Sequence, residues 1–120
     1  MIDLEPVHLV GMGGAIGAIA RHWVSLTVSS QRFPWPTLTV NVLGSFVFAL
    51  VAFGGADEST FQLVGIGACG AFTTFSTFSV ETVQLADRGD RELAVANALG
   101  NLLASLAAIG LGWLVVAAVV

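Results

Sequence analysis

The sequence predicts an all-α integral membrane protein, a single domain (1–120) of four transmembrane helices, and three observations carry that expectation. Hydrophobic residues make up 56% of the 120 residues and charged residues only 10%, against roughly 25% charged in soluble domains. The apolar residues gather into four stretches, 7–28, 37–54, 61–85 and 93–119, each close to the ~20 residues that span a bilayer. The connectors between them are of a different composition: Pro34-Trp35-Pro36 stops one helix and starts the next, and residues 87–92 read Asp-Arg-Gly-Asp-Arg-Glu, too hydrophilic to be buried.

The same composition excludes several function classes. The chain has four arginines, no lysine and a net charge of −4, so it lacks the basic footprint of a nucleic-acid binder. Cys69 stands alone, which leaves no intrachain disulfide and no cysteine-rich metal site. There is no Ser-His-Asp or Cys-His arrangement and no phosphate-binding Gly-Lys loop, so an enzyme is not expected. Asp3 and Glu5 precede the first apolar stretch without any basic residue. That is unlike a signal peptide, and the stretch is read as a retained helix.

The first helix carries Gly13 and Gly17 four residues apart, with Gly14 and Ala18 beside them, a seam that permits close helix approach. It ends near Arg21 and His22. Arg21 has two readings, a side chain snorkelling to the interface or a fixed positive charge that draws in anions; His22 reads as interfacial. On the second helix Asn41, Gly44, Ser45 and Phe48 fall at i, i+3, i+4 and i+7 and share a face. The Asn41 amide offers two N–H donors without net charge. It is either an interhelical clasp or a donor to a passing anion.

The third helix is the most informative. Residues 67–81 read Gly-Ala-Cys-Gly-Ala-Phe-Thr-Thr-Phe-Ser-Thr-Phe-Ser-Val-Glu, and Thr73, Thr74, Ser76, Thr77, Ser79, Glu81 and Thr82 make it polar in an otherwise membrane-spanning stretch. Unpaired polar groups are costly in hydrocarbon, so this cluster must face protein or a water-filled path. Gly65, Gly67 and Gly70 allow the helix to loosen just before it. Two readings stand, a small-residue packing interface and an ion or solute site. Phe75 and Phe78, one turn apart, are either core aromatics or ring edges turned to an anion. Glu81 is an ionisable group at depth, a functional candidate by position; it could pair with Arg21, sit at a vestibule or guard a pore. On the fourth helix Gly100, Ala104, Ala108 and Gly112 form a small-residue seam, and Asn97, Asn101 and Ser105 form a polar track one residue round. Four spans put both termini on one side. Arg21, Arg32, Arg88 and Arg91 fall at the opposite end, which places the termini outside the cytoplasm by the positive-inside rule.

The 67–81 run resembles the signature of the CrcB/Fluc family of fluoride channels. Gly13-Gly-Ala-Ile-Gly-Ala-Ile-Ala-Arg21, Pro36-Thr-Leu-Thr-Val-Asn-Val-Leu-Gly-Ser45 and a glycine-bearing last helix fit it in order and spacing. The resemblance implies a multi-pass protein of the cell membrane that passively exports fluoride and so confers fluoride resistance. It implies a break in the third helix and an antiparallel, dual-topology dimer, made of two copies or of a paired homologue. By the same resemblance Asn41, Phe75, Ser76, Thr77, Phe78, Asn97, Asn101 and Ser105 line the fluoride pathway. Arg21 and Glu81 belong to its vestibule. Backbone carbonyls of Gly70 and Thr73 hold a structural sodium ion at the dimer centre. The family usually has Tyr at position 97 and Ser at 101, so this chain departs there. Two rivals are weaker. A dual-topology drug/proton exchanger needs a carboxylate in its first helix, and none lies within 7–28. A non-transporting accessory protein leaves the polar third helix unexplained.

Overall fold

The computed structural model describes residues 4–120; residues 1–3, Asp3 among them, lie outside the described residues. Every regular element within that span is helical. Helix α1 (Pro6–Thr27) opens on a proline, whose missing N–H costs nothing in a first turn. Helix α2 (Trp35–Phe53) likewise has a proline in its first turn and stops at Gly54, followed by Gly55 at φ +70°. The third rod (58–72, here α3) begins where the Asp57 carboxylate accepts the Thr60 N–H at 2.7 Å, an N-cap. It runs through a helical turn Glu58–Thr60, nine residues of wider π-helix Phe61–Cys69 and a last turn Gly70–Phe72. After a break comes α4 (Ser76–Asp87), which ends on Gly89 at φ +87°. Asp90 N–H bonds Leu85 O and Gly89 N–H bonds Ala86 O, a Schellman close that needs this left-handed glycine. Helix α5 (Arg91–Val119) completes the chain.

Three segments are long and apolar enough to cross a membrane: Trp35–Phe53, Glu58–Asp87 taken through its break, and Arg91–Val119. Helix α1 is 22 residues long, about 33 Å at 1.5 Å per residue. Four glycines, two histidines and Arg21 hold its apolarity below that of the others. The expectation of four apolar spans therefore meets three by composition and a fourth by length alone.

Burial is arranged as a membrane protein requires. Large apolar side chains point outward, Ile19 and Leu26 more than 70% exposed among them, while the buried set is Val24, Val40, Ala49, Cys69, Leu85, Ala94 and Ala108 together with Thr37, Thr74, Asn97 and Asn101. Small and polar residues inside with bulky apolar ones outside is the pattern that lipid favours. Helix α1 packs chiefly on α3, and α2 and α4 pack on α5. At the α1–α3 crossing a Cβ on Gly13 would overlap the Leu63 carbonyl oxygen, one on Gly17 the Ala68 carbonyl oxygen, and one on Gly67 would lie 2.7 Å from Val10 O. The glycine seam of α1 thus lets two backbones touch. The α5 seam is real only at its far end. Ala108 is buried and Gly112 meets Ala49, whereas Gly100 faces open space. The arginine-bearing connectors share one end of the bundle, with Arg32 4.0 Å from Asp90.

Candidate functional site

The site is built around the interruption between α3 and α4. Thr73 turns extended (ψ 160°), and Thr73, Thr74 and Phe75 leave the helix. Four of the backbone groups stranded by the break find side chains. Thr74 N–H, which would otherwise close a turn on the Gly70 carbonyl, donates to Asn41 Oδ1 at 2.8 Å. Thr74 O accepts from Asn41 Nδ2 at 3.1 Å, and Thr73 O accepts from Arg21 Nη1 at 3.3 Å. Thr77 N–H donates to Thr74 Oγ1 at 3.2 Å, a hydroxyl cap that restarts the helix. The expected break is therefore present, centred on 73–75, and Gly70 lies in the helical turn before it.

Behind the break runs a relay of side-chain hydrogen bonds. Asn41 Nδ2 donates to Asn101 Oδ1 at 2.9 Å. Asn101 Nδ2 donates to Asn97 Oδ1 at 2.9 Å and to Asn97 O at 3.0 Å. Asn97 Nδ2 donates to Thr82 Oγ1 at 2.9 Å, and that hydroxyl donates to Phe78 O at 2.8 Å. The relay begins on a backbone N–H of residue 74, which can only donate, and ends on the carbonyl of residue 78, which can only accept. Its sense is therefore fixed at both ends, and flipping any one amide would break its links on both sides. Chains of this kind strengthen one another in a low-dielectric interior.

Two cavities flank the break. One of about 310 Å³ is lined by Asn41, Ser45, Thr73, Thr74, Phe75, Phe78, Ala98, Asn101, Leu102 and Ser105. The Phe75 and Phe78 rings lie 5.8 Å apart, tilted by 47°, and Phe75 is 79% exposed, turned away from its own bundle. The other cavity, about 440 Å³, is lined by Arg21, His22, Ser25, Ser30, Thr37, Thr77 and Glu81 among others, and Thr74 borders both. In this second space Thr37 Oγ1 donates to Glu81 Oε1 at 3.1 Å, while buried Glu81 Oε2 has no partner among the described residues. Arg21 and Glu81 share the cavity, but among the described residues the ion pair is Arg32–Asp90.

The sequence-derived candidates thus divide. Asn41, Phe75, Phe78, Asn101 and Ser105 meet at the smaller cavity with Thr73, and Arg21, Thr77 and Glu81 meet at the larger. Ser76 lies on a shallow groove with Thr77 and Glu81. Asn97 is fully buried in the relay, and Gly70 is exposed with open space before it. Four contributors are not among the residues the sequence assigns to the site: Ser45, Thr74 and Thr82, noted only as polar positions on their helices, and Thr37, given no role. Thr37 and Ser45 were detectable, since they stand one turn before and one turn after Asn41 on the same face.

An all-helical bundle that turns its bulk to lipid and holds a hydrogen-bonded polar break between two cavities is a multi-pass membrane protein with a solute-handling core. The chain belongs to the family described as CrcB-like protein, Camphor Resistance (CrcB), whose profile matches residues 8–113. It is 51% identical over 113 residues to a protein named fluoride-specific ion channel FluC 2 of Haloarcula marismortui, covering 94% of this chain and 95% of that one. Fluoride-specific ion channel FluC 1 of Halobacterium salinarum is also 51% identical, covering 93% and 94%. A FluC of the same description from Gloeobacter violaceus is 42% identical, covering 88% of each.

Proposed function

We propose that this chain is a fluoride-specific ion channel that passively exports cytoplasmic fluoride and so confers fluoride resistance. The observation that carries the reading is the polar break at 73–75, held open by Asn41 between two cavities, in a chain half identical over nearly its whole length to fluoride-specific channels. Fluoride enters a cell as its neutral weak acid and ionises in the less acidic interior; the anion then runs back out through the channel. It is transport rather than catalysis, and the protein is not an enzyme.

In this reading Arg21 and Glu81 form the vestibule, where the guanidinium gathers anions and the carboxylate is tied to Thr37. Thr77 and Ser76 sit at its inner edge. From there the pathway follows Asn41, Phe75, Phe78, Asn101 and Ser105, with Asn97 bracing it from behind. A narrow path whose few neutral donors replace water around a small ion discriminates against chloride. Helix α1 is a fourth span, packed through its glycines on α3.

The functional unit is an antiparallel, dual-topology dimer in the cell membrane, of two copies or of this chain with a paired homologue. The outward-turned Phe75 supports it, since a ring 79% exposed on one chain gains a neighbour on a second. A structural sodium ion belongs at the centre of that dimer, on the carbonyls of Gly70 and Thr73. The fit is favourable. The Thr74 and Thr77 N–H groups that would close helical turns on these two oxygens go to side chains instead. Arg21 Nη1 makes one hydrogen bond to the Thr73 oxygen at 3.3 Å, and a carbonyl has two lone pairs. A hard cation needs more oxygens than one chain offers here, so a second chain completes the shell.

The test is efflux from liposomes that contain only this protein, with fluoride and chloride compared side by side. Rapid fluoride loss with chloride retained is the expected result. Retention of both anions, unchanged on adding a homologous partner chain, overturns the channel reading in favour of an accessory membrane protein.

A further inference from the structure

We infer that His22 is a second anion-gathering residue of the cavity of about 440 Å³, one whose protonation sets the sign of the charge there; this rests on the channel reading above. The sequence reads His22 as interfacial, but the helix turns it to the cavity. Ala18, Arg21, His22 and Ser25 stand at i, i+3, i+4 and i+7 of α1, and all four line this space, so they form one face of the helix. The two basic side chains of that face are differently engaged. Arg21 is half-buried and donates to Thr73 O at 3.3 Å, which anchors its guanidinium at the break. His22 is exposed, and no hydrogen bond among the described residues engages its ring. Its backbone carbonyl is held by the Ser25 hydroxyl at 2.6 Å, which leaves the imidazole free.

The charges on the wall give this histidine its weight. Besides His22, the charged side chains that line the cavity are Arg21 from α1 and Glu81 from α4; Thr37 and Val40 from α2, Ser30 from the connector and Thr74 from the break are neutral. As guanidinium and carboxylate, Arg21 and Glu81 offset each other. Arg32 and Arg88 lie beyond Glu81, on a separate space that Glu81 also lines, and Arg32 has Asp90 at 4.0 Å. The wall is therefore balanced while the imidazole is neutral and carries one excess positive charge once it is protonated. Histidine makes that change between about pH 5 and 8. The imidazolium donates from both ring nitrogens, the neutral ring from one, and a charged donor binds an anion more strongly than a neutral one. An excess cation in a cleft also concentrates anions at its entrance. Acidification through this range thus speeds fluoride entry, and the gain is lost as the pH rises again.

Fluoride efflux from liposomes tests the inference, followed from about pH 8 to about pH 6 at low ionic strength and subsaturating fluoride. The wild-type protein is compared with His22→Gln and His22→Arg. Protein-free liposomes measure the leak of the neutral acid at each pH, and gel filtration in detergent checks that each variant keeps the wild-type assembly. Wild-type flux should rise about three- to tenfold on acidification, the low end of what a focused charge supplies. His22→Gln, which does not titrate, should stay at the alkaline level throughout. His22→Arg, charged at every pH, should show the acid level throughout. In about 1 M of an impermeant salt the three should converge, because the Debye length falls to about 3 Å. A histidine that only packs would neither order the three proteins by charge nor lose that order in salt. A conducting wild type whose pH profile is shared by His22→Gln overturns the role of His22 and leaves the channel reading standing; so does a conducting wild type with a flat profile. A wild-type protein silent for fluoride at every pH overturns the channel reading, and the inference falls with it.

Discussion

The side-chain amide of Asn41 pairs with the backbone of Thr74 in both directions, accepting its N–H at 2.8 Å and donating to its carbonyl at 3.1 Å. One residue on α2 thereby does for a broken helix what the missing turns would have done. Aspartate at this position has the same shape and no donor. Asn41→Asp removes the bonds to Thr74 O and Asn101 Oδ1 and sets a carboxylate against both acceptors. Each lost bond costs about 1 kcal/mol, more where an acceptor is left buried. We expect a loss of about 2–4 kcal/mol in stability and fluoride flux at least about tenfold below wild type. Thermal unfolding in detergent and liposome efflux, run on the same preparation, check the two together. Wild-type flux from Asn41→Asp would mean that the clasp does not set the pathway.

Gly17 and Ala68 bring α1 and α3 into backbone contact, and the space there admits no methyl group. Gly17→Ala should force the helices apart at a cost of about 1–3 kcal/mol, the usual penalty of overpacking. Gly100→Ala and Gly110→Ala, where nothing lies within reach of an added Cβ, should be neutral or slightly stabilising, since alanine is the better helix former. Comparative thermal melts of the three variants test the seam, and equal melting temperatures would reject it.

The helical architecture was legible in the sequence because its punctuation is local. Pro6, Pro36, Gly54 and Gly89 each mark a helix end by a backbone property they carry anywhere. Asn41 was legible as a polar residue on an apolar face, but its partner was not, since a clasp 33 residues away in the chain leaves no periodic trace. The glycines alone predicted only a helix free to loosen; the break itself was expected from the resemblance, at Gly70 and Thr73, and it lies at 73–75, taking in Thr73 but not Gly70. Side-chain acceptors decide it there: Asn41 Oδ1 and Thr74 Oγ1 capture the N–H groups that would have continued the helix. Asn97 and Asn101 read as a continuous polar stripe. Periodicity gives the face of a residue and not its depth, and depth is what separates buried Asn97 from cavity-lining Ser105.

Asp57 supplies a pH test outside the membrane. Its carboxylate is held below the ordinary carboxylate range by the Thr60 backbone N–H and, secondarily, by the Thr60 side chain. A folded-state value below the unfolded one, about 3.9, means that the contribution to stability is complete above that pH. It is lost as the pH falls through the lower, folded value. Asp57→Asn keeps an N-capping side chain without the titration, and should flatten this part of the acid dependence while remaining folded at neutral pH. Melting temperatures across the acid range, wild type against Asp57→Asn, measure it; parallel curves would exclude a contribution from the cap.

Phe78 is the aromatic side chain that belongs to both the cavity and the relay, because its ring lines the 310 Å³ space while its carbonyl receives the Thr82 hydroxyl that ends the chain of hydrogen bonds. The two functions separate by mutation, since the carbonyl is present whatever the side chain. Phe78→Ile retains apolar bulk and leaves the relay's terminus in place, but removes the ring whose positive edge can face an anion. The variant should therefore assemble and melt close to wild type while fluoride flux falls by about tenfold or more. Phe75→Ile should also lower flux, because that ring shares the cavity at 5.8 Å. Its stability cost in a single chain should be small, the ring being largely exposed. If Phe78→Ile lost stability and flux in proportion, the ring would be acting through packing; a loss of flux alone assigns the ring to the ion path.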